Sequence, residues 1–533
     1  LGIIKGLINT SNENEIILVA NASSYDCREV FKKELSSKNC NVSYCNWFPI
    51  DSAATKYEQS LLDTKTLSSI RAYTFSKLNA DIILITSFFE GWCDSCFLPI
   101  SKEFNLPPIF TILYDLIPYI YQDDYLNNIP KYKEFYLNKI SRLKELNGFL
   151  AISESARREG IKYLDIDPNK IFNISSAIDM EIFNNKKKEV KTKDKYILYT
   201  GAADVRKNLR RLIKAYSLLS TKVMANYKLV LAGGFHEQEI NLINKWTHKY
   251  AIPHGFVSLK GYVSDAELAS LYSNCHLFVF PSLHEGFGLP ALEAISCGAV
   301  VIGSNSTSVP EVINEPEALF NPLDVNEIAN LIEKSLTNLD FRRKLKENAV
   351  KRSSSFSWDI SAKKSISAFK YLINEANQIK SNKRKLSEES DFEIIIRIIK
   401  ELISKCQDRE YIDTYLIRLS STIALADNET NQYQRLDNNR ENTLEWKIEG
   451  PYDSNYSLAI LNRELALAMK RNGITTYIKS TEGPGDYEAN MDYVSKHKKL
   501  CKIHNLSLFN TKKYDIITSR NLYPPRVNDM FSR

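Results

Sequence analysis

The sequence predicts an α/β protein: two Rossmann-like parallel-sheet domains facing a cleft, then a helical linker and the start of a second unit of the same kind. Three observations carry this. Over roughly the first 375 residues, short apolar runs alternate with amphipathic segments, the pattern of parallel strands joined by crossover helices. A basic, weakly periodic stretch from Lys186 to Lys195 divides that alternation into two series. Near its end the chain repeats the order of elements with which it opens.

Taken in order, the first series begins with a helix at Leu1 to Ile8 and continues with strands at Glu15–Ala20, Asp81–Thr86, Ile109–Leu113, Gly148–Ile152 and Ile171–Ile174. The second contains strands at Tyr196–Tyr199, Lys228–Ala232, Val257–Leu259, Leu277–Phe280 and Val300–Ile302. Residues 1–178 and 179–376 are therefore read as two domains, and ligands of such sheets sit at the carboxyl ends of the strands. Residues 377–442 read as a linker, charged and helical from Lys380 to about Ala426 and polar from Asp427 to Asn442. Residues 443–533 open a second unit, with a strand at Trp446–Glu449, a turn-rich segment, a helix over Tyr456–Asn472 and a strand at Ile474–Lys479. That later copy places a strand and a glycine loop ahead of its helix, whereas residue 1 already lies in a helix. The expectation is that the opening strand and loop of the first unit, and most of the second, lie outside this sequence.

Composition narrows the classes. At 533 residues with 44% hydrophobic and 25% charged residues, the chain is globular, and a net charge of +6 reads as a mixed solvated surface, with an anionic ligand or an acidic membrane face as the alternative; no nucleic-acid partner is expected. The most apolar long segment, Leu98 to Tyr121, is broken by Lys102, Glu103, two prolines and Asp115, so it does not read as a membrane span. Nine scattered cysteines, an odd number, point to reduced thiols in the cytoplasm. Cys93 and Cys96 have CxxC spacing but no second pair or histidine to complete a zinc set.

The chemistry concentrates in two strand-to-helix loops. In His284-Glu-Gly-Phe-Gly-Leu-Pro-Ala-Leu-Glu293, Pro290 opens a helix, Gly286 and Gly288 let a ligand approach the backbone, and the helix start attracts an anion such as a diphosphate. Glu293, one turn in, can accept hydrogen bonds from vicinal hydroxyls, and Glu285 faces whatever is attached beyond the diphosphate. In Thr200-Gly-Ala-Ala-Asp-Val-Arg-Lys-Asn208, Gly201 permits close approach and Arg206 and Lys207 point into the cleft to neutralise a leaving diphosphate. No GxGxxG follows a strand and no GxxxxGK[ST] occurs, which argues against dinucleotide oxidoreductases and P-loop enzymes.

Together with Gly233-Gly234, Gly261-Tyr-Val-Ser-Asp-Ala-Glu267 and Ser308-Val-Pro-Glu311, these loops resemble the donor domain of retaining glycosyltransferases of family 4, which have the GT-B fold. The resemblance covers about residues 1–375; the late segments Glu449-Gly-Pro-Tyr-Asp-Ser-Asn455, Ser480-Thr-Glu-Gly-Pro-Gly-Asp486 and Arg520-Asn-Leu-Tyr-Pro-Pro-Arg526 resemble the opening of a second such unit, as in tandem bacterial enzymes of O-antigen or capsule synthesis. It implies a nucleotide seat of Gly201, Arg206, Lys207, Gly286, Phe287, Gly288, Leu289 and Glu293, with Glu293 on the ribose. It also implies that Glu285 lies by the donor sugar and forms the catalytic group with Arg206 and Lys207. Tyr114-Asp-Leu-Ile-Pro118 resembles the family's HDxxP element with Tyr114 in place of histidine, so no imidazole role carries over, while Asp115 stays a candidate for cleft contacts. Ser153-Glu-Ser155 resembles the segment closing the acceptor-side sheet, and helix capping explains it nearly as well.

The implied reaction moves a hexose, mannose by analogy, from a GDP- or UDP-linked sugar to a glycan or lipid-linked oligosaccharide, with no cofactor and no metal. Asp165-Ile-Asp167 has DxD spacing, but it precedes Pro168 and reads as a turn. A cytoplasmic protein in peripheral contact with the inner membrane suits a lipid-linked acceptor. The alternatives are an inactive glycan-binding or scaffold fragment, and a sugar-nucleotide epimerase or phosphorylase of the same fold.

Overall fold

The computed structural model describes residues 80–92, 98–184 and 195–380 continuously, with residues 2–10, 15–21, 35, 41–47, 64–78 and 390–405. Towards the C-terminus it describes 445–449, 466–467, 470, 475–479, 481–482, 485–486, 500, 516–520 and 531–532. The strands in chain order are β1 Glu15–Asn21, β2 Asn41–Trp47, β3 Ile83–Ile85, β4 Ile109–Leu113, β5 Gly148–Ala151 and β6 Ile171–Asn173 in the first series. The second series is β7 Tyr196–Thr200, β8 Lys228–Ala232, β9 Val257–Gly261, β10 Leu277–Phe280, β11 Val301–Ser304 and β12 Leu319–Phe320. Six more follow: β13 Glu445–Glu449, β14 Thr475–Lys479, β15 Thr481–Glu482, β16 Gly485–Asp486, β17 Ile516–Arg520 and β18 Phe531–Ser532.

The second sheet positions the site. Its order is β12-β11-β10-β7-β8-β9, all parallel. Counted from its own first strand, this is the doubly wound order 3-2-1-4-5-6, whose direction of winding reverses between β7 and β10. In sheets of this order, ligands bind outside the carboxyl ends of the strands at that reversal. All of β7 and β10 is buried, because crossover helices cover both faces of a parallel sheet, and this is why each strand reads as an unbroken apolar run.

In the first domain, β3-β4-β5-β6 form a parallel sheet and β1 pairs with β2, also in parallel. β4 and β5 are buried throughout. Their outer face is covered by helix Trp358–Lys380, which leaves the second domain and puts Ala362, Ala368, Phe369 and Leu372 into one cluster with Ile3, Phe110, Ile112, Leu150 and Ile174. Helix Gly2–Thr10 lies so close to Trp358 that a Cβ on Gly2 would run into its indole and one on Gly6 into its carbonyl.

Some elements differ from the expectation. Helix Asp391–Lys405, in the stretch read as linker, packs on helix Thr64–Ser76, with Lys77 Nζ 3.4 Å from Asp391 and Arg397 Nη2 2.9 Å from Glu103. Residues 358–376, grouped by the sequence with the second domain, cover the first sheet, since helical periodicity marks an apolar face without naming the sheet that it covers. β2, with its polar Asn41-Val-Ser43, and the two-residue β12 carry no apolar run, and neither stands out in the sequence. In the last region β14-β13-β17-β18 form a sheet in which β13 runs parallel to both neighbours, as an opening βαβ unit requires. Residues 185–194, which include nearly all of the basic stretch, most of the helix expected over Tyr456–Asn472, and the Cys93/Cys96 pair lie outside the described residues.

Candidate active site

The loop after β7 is shaped by glycine and by local caps. Gly201 has φ +139° and donates its N–H to Ala232 O at 3.0 Å, while Gly233 carries no side chain because the Gly201 carbonyl occupies the place of a Cβ. Asp204 Oδ1 accepts the Arg206 N–H at 2.7 Å and starts the short turn Val205–Lys207. Asn208 follows in the left-handed region at φ +59°, and its side-chain amide donates to Pro281 O at 2.9 Å and Pro322 O at 2.7 Å. With Leu283 N–H on Arg206 O at 2.7 Å, the loops after β7 and β10 are stitched together.

That stitching brings the charged residues into one group. Glu285 Oε1 lies 2.7 Å from Lys207 Nζ and Oε2 lies 3.0 Å from Arg206 Nη1, which also donates to His284 O at 2.7 Å. The three side chains are only 10–16% exposed, so water screens them weakly, and the triplet by itself carries one net positive charge. Burial opposes the charge of Arg206, but Glu285, Tyr125 and Asp204 outweigh it and hold the guanidinium above its ordinary pKa. The expectation had Arg206 and Lys207 aimed at a diphosphate and Glu285 at a sugar; here all three are tied to each other. Glu285 is fixed from behind by its own N–H on Thr307 Oγ1 at 3.0 Å and by Ser308 Oγ on its carbonyl at 2.9 Å.

Glu293 stands on helix Leu289–Ser296, which starts at Gly288 with φ +101° and takes Pro290 in its first turn. Its Oε2 accepts from Tyr272 Oη at 3.0 Å, and Tyr272 Oη is 3.0 Å from Thr200 Oγ1. Tyr272 is fully buried on helix Asp265–Asn274, which begins with a capping box of Ser264 and Glu267. Burial pushes the Glu293 carboxyl up to about 7, against the pull of the Tyr272 bond. Phe287 is spent on packing, edge-on to Phe356 at 5.5 Å, so only its backbone can meet a ligand, whereas Leu289 is exposed.

The first domain closes against these loops. A Cβ on Gly286 would sit 2.7 Å from Tyr114 O and 3.0 Å from Asp115 Cβ, so this glycine answers to the seam between the domains as well as to any ligand. Ser153 Oγ accepts from Ala156 N at 2.9 Å and donates to Gly286 O at 2.6 Å, joining the capping and seam roles in one hydroxyl. Glu311 crosses the seam to accept from Glu154 N at 2.8 Å and Ser155 N at 2.7 Å, at the start of helix Glu154–Leu164. His284 Nε2 lies 2.9 Å from Glu159 Oε1 without hydrogen-bond alignment, and its ring meets Tyr121 edge-on at 5.5 Å. Asp115 Oδ1 accepts from Ile117 N at 3.0 Å, and burial raises its pKa. Tyr114 is half exposed and donates its hydroxyl to Thr86 O at 3.0 Å.

Residues 181–352 match the family described as Glycosyl transferases group 1. Among similar chains, the serotype-specific mannosyltransferase WbdA of Escherichia coli is 37% identical over 325 residues, 59% of this chain and 40% of that one. The O-antigen chain mannosyltransferase B of Escherichia coli is 37% identical over 180 residues, 33% of this chain and 46% of that one. This chain thus spans less than half the length of these curated relatives. The sucrose-phosphate synthase tll1590 of Thermosynechococcus elongatus superposes with a TM-score of 0.50 at 18% identity, over 70% of this chain and 100% of that one, and the shared fold is GT-B.

Within the matched stretch fall Gly201, Arg206, Lys207, Glu285, Gly286, Phe287, Gly288, Leu289 and Glu293. The structure gathers the cations with Glu285 at the switch point and holds Glu293 by a separate chain of hydroxyls. Sequence reasoning assigned no role to Asp204, Asn208 or Tyr272 in this domain, nor to Tyr125 and Glu159 opposite it. Asp204 and Asn208 flank the basic pair, a signal that was available; Tyr272, Tyr125 and Glu159 have none, because their partners are distant in sequence. Asp165 has φ +54° after helix Glu154–Leu164, and Asp167 Oδ1 accepts from Asn169 N at 2.9 Å, the turn expected of this DxD. Among the described residues, no group of three or more His, Cys, Asp or Glu side chains has the geometry of a metal site.

Proposed function

We propose that the protein transfers a hexose, mannose by analogy with the relatives, from a nucleoside diphosphate sugar to a glycan hydroxyl in the assembly of a bacterial surface polysaccharide. The observation that carries this reading is the buried, net-positive triplet of Arg206, Lys207 and Glu285 at the switch point of the second sheet. In the reaction, the bond between the anomeric carbon and the diphosphate oxygen breaks, and its electron pair stays on that oxygen beside Arg206 and Lys207. An acceptor hydroxyl forms the new bond on the same face, its proton passing to the departing diphosphate, so configuration is retained. Glu293 accepts hydrogen bonds from the ribose hydroxyls, and the first-turn N–H groups of helix Leu289–Ser296 face the phosphates. The reaction runs without a divalent metal, the charge on the leaving group being met by the two cations. No described helix is long and apolar enough to cross a membrane; a lipid-linked acceptor would be met at the cytoplasmic face.

The test is product formation from GDP-mannose, with UDP-sugars as comparison, on a mannose-terminated oligosaccharide with and without EDTA. We expect transfer that survives the chelator, an α-linked product by NMR from the α-linked donor, and loss of product in Glu293→Ala. Equal product from wild type and variant would overturn the site, and an inverted anomer would overturn the mechanism.

A further inference from the structure

Tyr125 ends the short helix Gln122–Tyr125 of the first domain, and its hydroxyl reaches across the seam into the loop after β7. Its oxygen lies 2.5 Å from Asp204 Oδ2 and 3.4 Å from Arg206 Nε. Burial, and then the bond to Asp204, push its pKa up to about 12, so at neutral pH the hydroxyl donates to the carboxylate and its oxygen accepts from the guanidinium. Asp204 meanwhile holds the Arg206 N–H on its other oxygen at 2.7 Å. The guanidinium is thereby gripped at both ends, by Tyr125 at Nε and by Glu285 and the His284 carbonyl at Nη1.

The geometry points to Tyr125 as a positioning residue for the diphosphate, and this rests on the nucleotide-sugar reading. It occupies the free oxygen of Asp204, which would otherwise draw the Arg206 side chain towards itself and set an unshielded negative charge beside the incoming phosphates. Because Tyr125 belongs to the opposite domain, this arrangement exists only when the first domain is seated on the second. Seating of the domains and alignment of Arg206 are then one event, and the residues that hold the ribose take no part in it.

The experiment is calorimetric titration of the full chain with GDP and GMP, for wild type, Tyr125→Phe, Asp204→Asn and the double variant. We expect Tyr125→Phe to weaken GDP about tenfold, the scale of a hydrogen bond to a charged group, and to leave GMP unchanged. In the Asp204→Asn background, where no carboxylate needs restraint, the same replacement should cost GDP affinity about twofold or less. Equal losses for GDP and GMP, or no loss for either, would overturn the assignment. Should the wild type bind UDP and UMP instead, the comparison is made with those; should it bind none of the four, the donor reading itself falls and takes this proposal with it.

Discussion

At one end of the proposed nucleotide seat, Glu293, Tyr272 and Thr200 come from two helices and a strand of a single domain and form a buried chain of hydroxyls ending in a carboxylate. At the other end, Arg206, Lys207 and Glu285 form an ion triplet whose surroundings include Tyr114, Asp115, Tyr121, Tyr125 and Ser153 of the opposite domain. The first end is built from the second domain alone. The second has its ion triplet in that domain but takes its surroundings from both, so one part of the site is set by folding and the other also by how the domains meet.

The largest expected effect lies at the end that both domains surround. Arg206→Ala should lower kcat/KM by about 10²- to 10³-fold, the usual loss on removing one preorganised charge-stabilising donor, read from initial rates of sugar transfer. A loss under about tenfold would place the phosphate elsewhere. Next, Gly286→Ala puts a methyl group into the Tyr114 carbonyl, 2.7 Å away, and forces the seam apart. Overpacking of this kind costs about 1–3 kcal/mol. If that cost falls on the contact between the domains, the transfer rate drops about tenfold while thermal unfolding of the second domain hardly moves; a large fall in Tm instead would mean that the glycine serves folding.

The folding end is sharpened by pH. The native Glu293 carboxyl keeps its proton up to about pH 7, whereas in the unfolded chain it loses it near about 4.3. Between those values the native state binds more protons, so this group makes the protein less stable as pH rises from about 5 to 7. Glu293→Gln should flatten that decline in chemical denaturation at successive pH values, and an unchanged slope would remove Glu293 as its source. The smallest effect is expected for Glu311→Gln. It weakens a charge at the start of helix Glu154–Leu164 and should cost about 0.5–1 kcal/mol in denaturant unfolding, a loss that about 1 M salt reduces.

How far the sequence could be read follows the same division. β4, β5, β7, β8 and β10 are legible because strands buried on both faces leave continuous apolar runs, and Pro290 announces a helix start through local backbone needs. Glu285 and Glu293 could be picked out because their loop must place glycines and a helix start between them. Tyr272, by contrast, is an ordinary tyrosine on an amphipathic helix, and nothing in its neighbourhood says that its hydroxyl meets Glu293. The destination of helix Trp358–Lys380 was illegible for a similar reason: an apolar face fits either sheet, and the close approach of Gly2 and Gly6 to Trp358 selects the first only once both elements are folded.

By itself, then, the sequence determined the layers, the parallel strands of the second sheet and the residues available at its mouth, because each depends on properties carried by a residue and its near neighbours. The tertiary structure alone decided that Glu285 pairs with both cations, that Gly286 lies on a domain seam, and that a tyrosine from the opposite domain grips Arg206. Those are contacts between residues far apart in the chain, 78 positions for Lys207 and Glu285 and 79 for Tyr125 and Asp204, for which no periodicity or spacing exists to be read.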